Sequence, residues 1–482
     1  MAHPRKRRSA AAVRRTAKRP AAQGQGTQHR AAQHSAAQNS AAQTPESQCL
    51  TLEIDNLTSD AQGVARRGRD VYFVPGALPG ETVEVLLDGR RKKVWQTRLR
   101  QVLTPSDQRR DAGCPHYRQC GGCDMQHMSS EAQLEAKQQR SQREFQRQGI
   151  AVEQWQEPIV GEPWHYRRKA RLGVRFSKAE QRNYIGFREA ASSHISDIDH
   201  CPVLVQHPVL DWAAWRELIS GLQGRDAISQ IEVIAADNAL ALVLRQLKPL
   251  SARDQQQLCD FVERYQQDAQ PLQLWLKDEQ HSQCIFPQHP PAPLWHEVQG
   301  LRLNMALDDF IQVNAGVNQA MVAQALAWLQ VTENDCIWDL FAGHGNFSMP
   351  LARLSQQVLA VEVQPAMVAS IQRQAEKLAL PLLAKQADLS EAGCLQALPE
   401  PQAVLLDPPR AGAAQVCEEL IRRQVPRIVY VSCDVATLAR DLASLTAAGY
   451  TVVKAGIMDM FPQTHHVETM VLLQYKSKNR HG

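Results

Sequence analysis

The chain has 482 residues, 44% hydrophobic and 22% charged, with a formal net charge of +4. That length has room for two or three domains of about 150 residues, and no run approaches the ~18–20 apolar residues of a membrane span, so no membrane partner is expected. The charge is unevenly spread. Residues 1–47 carry nine Lys and Arg against one acid, a local +8 that leaves −4 for the other 435. A uniformly basic nucleic-acid binder is excluded, and any nucleic-acid contact must be local.

The Ala-, Gln- and Ser-rich segment 1–47 has almost no large apolar residue, so it is expected to be a disordered basic tail. Its arginines suit RNA phosphates, and a solvated extension without a specific role accounts for them equally well. An Arg-rich, acid-poor start also has the composition of a transit peptide, but it lacks the apolar residues of an amphipathic face. No apolar signal-peptide core follows the basic run, which argues against secretion and against a disulfide framework for the eleven cysteines.

Residues 48–106 read as a small β-domain. The stretches 50-LTLEID-55, 71-VYFV-74, 82-TVEVLL-87 and 94-VWQTRLRQVL-103 are strand-like and separated by Pro-Gly and Asp-Gly turns. Such short strands suggest a barrel. Arg66, Arg67, Arg69, Arg90, Arg91, Lys92, Lys93, Arg98 and Arg100 concentrate there. They suit an RNA-binding face, against the lesser alternative of a strand edge charged against aggregation. The segment resembles a TRAM domain, an RNA-binding barrel appended to RNA-modifying enzymes. The run 131–148 is amphipathic and helical, with Gly149 as its stop. Residues 107–300 otherwise form a β-rich central region, with strands at 170–176 and 240–247 and a helix near 252–266.

Cys114, Cys120 and Cys123 stand as C-x5-C-G-G-C, and Cys201 lies in 200-HCPVL-204. Clustered thiolates in a reducing compartment suggest a metal site. Gly121 and Gly122 let the backbone wrap closely round a cofactor. By spacing alone, zinc held with His116 or His127 competes evenly with an iron–sulfur cluster, and the Cys201-Pro202 pair leans toward the cluster.

From about residue 300 the pattern becomes α/β. A strand ends at Asp339, followed by the Gly343–Gly345 turn and a helix. The next apolar strand ends in Glu362, placed for a ribose diol, and 386-QADLS-390 offers Asp388 to an adenine amine. The third glycine of a dinucleotide fingerprint is absent and the spacing from Gly343 to Glu362 is short, so S-adenosylmethionine fits better than NAD. The strands at 403–406 and 427–432 lead to Asp407 and Cys433. A cysteine at a strand's end, at the mouth of the sheet, favours a nucleophile. Glu468, before the final strand, is the candidate general base.

With Cys433, 407-DPPRAG-412, 464-THHVET-469 and the four clustered cysteines together, the chain resembles the RNA uracil-5-methyltransferases over about residues 49–475. The resemblance implies a Rossmann-like class I methyltransferase domain at 301–475. Before it would lie an OB-like TRAM barrel and a central domain whose Cys114, Cys120, Cys123 and Cys201 ligate a [4Fe-4S] cluster. Gln312, Phe341, Asn346, Glu362, Asp388 and Asp407 would hold S-adenosylmethionine or line its site. Cys433 would be the nucleophile and Glu468 the base. Helix 131–148 would pack on the methyltransferase domain. Arg171, in the basic 165-HYRRKARLGVR-175, would contact RNA, against a reading of that strand as merely solvated.

Within the family, tRNA enzymes lack both cluster and barrel, and the relative acting on the other ribosomal uridine generally lacks the barrel. This chain carries both features, which points to 23S ribosomal RNA, at uracil 1939, and to a cytoplasmic monomer. Other ribosomal or tRNA uridines remain alternatives. So does a non-catalytic RNA-binding assembly protein, which the intact Cys433 and Glu468 argue against. An amino-group methyltransferase is disfavoured because Arg410, not an aromatic, follows Asp407-Pro408-Pro409. The usual Asp-Leu-Phe-Cys-Gly here has Ala342, and the usual Ser-Cys-Asn-Pro reads Ser432-Cys433-Asp434-Val435. A carboxylate beside Cys433 is expected to disfavour its thiolate.

Overall fold

A computed structural model describes residues 49–190 and 192–476; the basic tail expected at 1–47 lies outside them. Six strands come first: β1 (Cys49–Glu53), β2 (Asn56–Leu57), β3 (Gln62–Arg67), β4 (Asp70–Pro75), β5 (Thr82–Arg91) and β6 (Val94–Thr104). They form one sheet in the order β1-β5-β6-β4-β3-β2. The Asp55 N–H reaches Val64 O at 2.8 Å, so the sheet's two ends approach each other. Alternation puts Val83 and Val85 inside with Leu52 and Val74.

Helix α1 (Ser130–Arg147) is capped by Ser129, whose side chain accepts the Ala132 N–H at 3.2 Å. It ends before Gly149, which takes φ +69°. Its buried residues Gln133, Lys137, Ser141 and Phe145 recur every fourth position, one stripe of the helix. Strand β7 (Val152–Trp155) follows.

The central sheet contains β8 (Lys169–Ser177), β9 (Arg182–Gly186), β10 (Ile228–Ala235), β11 (Leu240–Gln246), β12 (Leu272–Lys277) and β13 (Ser282–Phe286), ordered β13-β12-β11-β10-β8-β9. Helices α2 (Trp212–Gly221) and α3 (Ala252–Glu263) cover one face through Trp215, Ile219, Leu258 and Phe261. The other face buries Ile234 and Val243 against Leu294, Met305 and Ile311, which fixes the connector leading to Gln312. Within that connector β14 (Trp295–Val298) and β15 (Leu301–Asn304) form a hairpin.

The remaining elements are α4 (Ala315–Leu329), β16 (Cys336–Leu340), α5 (Ser348–Leu351), β17 (Gln357–Glu362), α6 (Pro365–Lys377), β18 (Leu382–Gln386), β19 (Ala403–Leu406), α7 (Ala414–Arg423), β20 (Arg427–Ser432), α8 (Val435–Ala447), β21 (Tyr450–Met458) and β22 (Glu468–Tyr475). The sheet order is β18-β17-β16-β19-β20-β22-β21-β7, parallel from β18 to β20. Every residue of β16 is buried, as a central parallel strand requires. Ile337 faces one core layer and Trp338 the other, and each fully buried large side chain contributes about 1.5–3 kcal/mol.

Strand β7 joins this sheet parallel to β21, far away in sequence. Helix α1 lies beside it and meets one residue after another of the 459–469 segment. Gln133 exchanges hydrogen bonds with the Gln463 side chain and N–H, Lys137 Nζ stands 2.6 Å from Asp459, and Ser141 reaches Thr469 at 3.4 Å. Phe145 packs into the core with Trp155. The stripe thus holds the segment that leads to Glu468.

Candidate active site

Chain reversal between β16 and β19 leaves a crevice at the carboxyl ends of the parallel strands. There a cavity of about 550 Å³ is lined by Phe341, Glu362, Gln364, Asp388, Asp407 and Ala413, among others. Phe341 holds φ +64°, a left-handed backbone uncommon outside glycine, and Gly343 and Gly345 follow at +58° and +95°. Glu362 accepts the Gly343 and Gln364 N–H groups, each at 3.0 Å, so the acid that ends β17 also shapes the turn after β16. Asp388 is exposed and accepts the Ser390 N–H and hydroxyl, which holds its carboxyl below the usual range.

Gln312 and Asn346 do not line this cavity. Gln312 is buried, its backbone carbonyl accepts Arg168 Nε–H at 2.9 Å, and its side-chain oxygen has no partner. Asn346 and Asn318 exchange two amide hydrogen bonds of 2.9 Å, fastening the glycine turn to α4. Neither Asn318 nor this pairing is marked by any sequence pattern. Asp339, at the heart of β16, accepts the Ser348 hydroxyl, and burial pushes its carboxyl up to about 7.

A second cavity of about 450 Å³ contains Cys433 and Glu468, together with Arg410, Phe461, Thr464 and His466. Glu468 is 5% exposed; burial, then the Asp407 charge, pushes it up to about 8. Asp407 belongs to the wall of the first cavity, yet its charge acts on both groups of the second. The 407–413 turn borders both cavities, Asp407 on the first and Arg410 on the second, and burial raises Asp407 to about 7. Cys433 is pushed up to about 11 by burial, Glu468 and Asp407, with Arg410 opposing. Asp434 is not among those causes. It caps α8, accepting the Thr437 N–H at 2.9 Å, and the leading contributions to the raised thiol come from burial, Glu468 and Asp407. Phe310, 62% exposed at the edge of this cavity, is a further lining residue that no motif distinguished.

Cys114, Cys120, Cys123 and Cys201 line the same cavity as Cys433. Burial raises all four thiols, Cys123 to about 12 and Cys201 to about 11, and neighbouring thiols add to this at Cys120, Cys123 and Cys201. Among the described residues, no three His, Cys, Asp or Glu side chains gather as the ligands of a metal ion would. His127 is bound to the Tyr117 hydroxyl at 2.6 Å, and His116 faces His200 and the Asp199 N–H; neither lines the cavity. A Cβ at Gly121 would stand 3.0 Å from Arg188 O, so this glycine permits close approach of the 188–190 backbone.

Of the basic residues in 167–175, Arg168 is buried and Lys169 is bound to the Leu307 and Asp309 carbonyls. Arg171 and Arg175 are exposed, alternating with inward-facing Leu172 and Val174. Among the described residues Arg171 pairs only with Glu232, at 3.2 Å, and its side chain remains 57% exposed.

Residues 129–381 and 397–476 match the tRNA (Uracil-5-)-methyltransferase family, well over half of the chain. The chain belongs to the uracil-5-methyltransferase family. It is 40% identical over 433 residues to the 23S rRNA (uracil(1939)-C(5))-methyltransferase RlmD of Enterobacter sp. (strain 638), covering 89% of this chain and 96% of that one. The protein of the same description from Pseudomonas fluorescens is 41% identical over 434 residues, covering 88% and 93%. Among solved structures, the Pyrococcus abyssi tRNA (uracil-54, C5)-methyltransferase in complex with S-adenosyl-L-homocysteine superposes with a TM-score of 0.65 at 20% identity. It covers 88% of this chain and 100% of its own length, and so shares the fold. The expected family, the α/β methyltransferase fold and dependence on S-adenosylmethionine are thus borne out.

Proposed function

We propose that the chain methylates carbon 5 of uracil 1939 in 23S ribosomal RNA through a covalent Cys433 adduct at carbon 6. The observation that carries this reading is the shared cavity of Cys433 and Glu468, joined through Asp407 to the cofactor crevice. The target is that of relatives about 40% identical over nearly nine-tenths of the chain.

Carbon 5 of uracil is weakly nucleophilic. Addition of the Cys433 sulfur to carbon 6 makes an enolate and so activates carbon 5. S-adenosylmethionine, when bound, supplies a methyl group on a cationic sulfur. After carbon 5 has taken that methyl group, Glu468 removes its proton and Cys433 is expelled with return of the 5,6 double bond. A carboxyl raised to about 8 suits that work near neutral pH, strong enough as a base and easily discharged. Cys433, raised to about 11, enters as a thiol and releases its proton to solvent before the sulfur adds to carbon 6; Arg410 favours the thiolate so formed. The uridine must leave its stack to reach the cavity, and exposed Phe310 offers a surface at the entrance. Phe341, Glu362, Asp388 and Asp407 would contact S-adenosylmethionine, and the unpartnered Gln312 oxygen is an acceptor suited to it. Asn346 would support the cofactor turn.

Four thiols facing one cavity suit a multi-iron [4Fe-4S] group held by Cys114, Cys120, Cys123 and Cys201. The N-terminal sheet, whose ends approach each other, reads as the TRAM barrel, and Arg171 as an RNA contact. In this reading the domains are the barrel at 48–106, the central region at 107–300 and the methyltransferase domain at 301–475. With ribosomal RNA as substrate and every site group in one chain, the enzyme would act as a cytoplasmic monomer.

The test is 5-methyluridine mapping in 23S ribosomal RNA of a deletion strain. Loss at uracil 1939, restored by the intact gene and not by Cys433→Ala, is expected. An unchanged methylation pattern would overturn the reading.

A further inference from the structure

The cofactor turn contains a histidine between two glycines. Gly343 and Gly345 both hold left-handed backbone, at φ +58° and +95°. Glycines lose the most conformational freedom on ordering, so such a turn needs fastening from outside. Glu362 fastens Gly343 from β17, and Asn318 fastens Asn346 from α4. Between them His344, 4% exposed, meets His296 of β14 with the two Nε2 atoms 2.8 Å apart.

His296 comes from outside the methyltransferase sheet. It is fully buried, and its hairpin is tied to the turn between β10 and β11. Asp237 N–H donates to Trp295 O at 3.0 Å, Glu297 N–H donates to the Asp237 carboxylate at 2.6 Å, and Trp295 N–H donates to Asn238 Oδ1 at 3.1 Å. The imidazole is therefore carried on a rigid post. Two rings joined through Nε2 must be of opposite tautomer, one donating and one accepting. Among the described residues His296 Nδ1 is buried with no partner. A bare lone pair is the less costly group to leave there, since orphaned buried N–H groups are the rarer case. His296 is accordingly the Nε2–H donor and His344 the acceptor. Burial pushes both rings down, His344 to about 4 and His296 to about 2, consistent with a neutral pair.

We propose that His296 is a positioning residue for the cofactor turn, acting through the ring of His344. The proposal rests on the reading of that turn as the S-adenosylmethionine site, and it adds a support from the central part of the chain. The ring pair selects the turn conformation able to bind; without it, that conformation is only one of several and apparent affinity falls with its population.

Calorimetric titration of the full chain with S-adenosyl-L-homocysteine, without RNA, tests this. His296→Phe removes the donor at similar volume and should weaken binding about tenfold, the effect of about 1.4 kcal/mol. His296→Gln, which can present an N–H near the former Nε2, should restore most of that affinity. With RNA present, KM for the methyl donor should rise in His296→Phe while kcat at saturation and RNA affinity stay near wild type. Affinity within about twofold of wild type in folded His296→Phe would overturn the proposal. Imidazole ¹⁵N spectra of the wild type give a variant-free check. Nε2 of His296 should be protonated and Nε2 of His344 bare, with neither ring titrating between about pH 5.5 and 8. Ordinary titration of either ring overturns the pairing. Wild-type chain that fails to bind the ligand at all overturns the cofactor reading along with it, whereas binding that ignores His296 overturns this proposal alone.

Discussion

Asp434 accepts the Thr437 N–H at 2.9 Å and its hydroxyl at 3.1 Å, so the carboxylate beside Cys433 serves the first turn of α8. Burial raises the thiol most, followed by Glu468 and Asp407, distant in sequence and close in space. Asp434→Asn keeps the cap and should leave both the cysteine titration and turnover within about twofold of wild type. Asp434→Ala should cost about 1 kcal/mol of stability. Thiol alkylation rates against pH and denaturant melts check the two statements.

Glu468→Gln should slow methylation by about 10²–10⁴-fold, the usual contribution of a general base. It should also trap the Cys433 adduct on RNA, visible as a denaturation-resistant band. The pH dependence has a definite sign. Burial raises the Glu468 carboxyl from 4.5 to about 8. The folded chain thus holds a proton that the unfolded chain releases, and stability from this group is full below about 4.5 and declines as pH rises to about 8. Wild-type turnover should rise with pH through this range, and Glu468→Gln should be stabilising at pH 8 relative to pH 5. Thermal melts at the two values decide it.

Lys137 and Asp459 join α1 to the segment before Glu468, with Lys137 Nζ also donating to Phe461 O at 3.1 Å. The lysine is 1% exposed at its side chain, so Lys137→Met leaves Asp459 uncompensated and should cost about 3–5 kcal/mol. Adding Asp459→Leu should recover much of this, as measured by chemical denaturation.

Among the described residues Arg171 is held by one pair, with Glu232, and its own guanidinium side chain stays 57% exposed, so the pair is worth little to stability. Arg171→Ala should leave the melting temperature and cofactor binding unchanged. It should weaken RNA binding and reduce the salt slope of log K by about one, if a phosphate is its partner. Filter binding across a salt series measures both.

Strand-end chemistry was legible in the sequence because apolar runs followed by Asp, Glu or Cys have few meanings in an open α/β sheet. Glu362, Asp407 and Cys433 all fall just where β17, β19 and β20 end. The cysteine spacing was legible too, but not the fact that those thiols share a cavity with Cys433. Long-range pairings left no local trace. β7 enters the sheet next to β21, the polar stripe of α1 finds partners at 459–469, and His296 meets His344 across an intervening helix. The capping role of Asp434 also left no mark, because sequence adjacency says nothing about which way a carboxylate points.

The covalent step is tested most directly by mass spectrometry of the denatured chain after reaction with 5-fluorouridine RNA and S-adenosylmethionine. Fluorine cannot leave as a proton does, so an RNA adduct mapped to Cys433 and absent from Cys433→Ala is predicted. Active enzyme that forms no adduct, or measurable methylation by Cys433→Ala, would contradict the account.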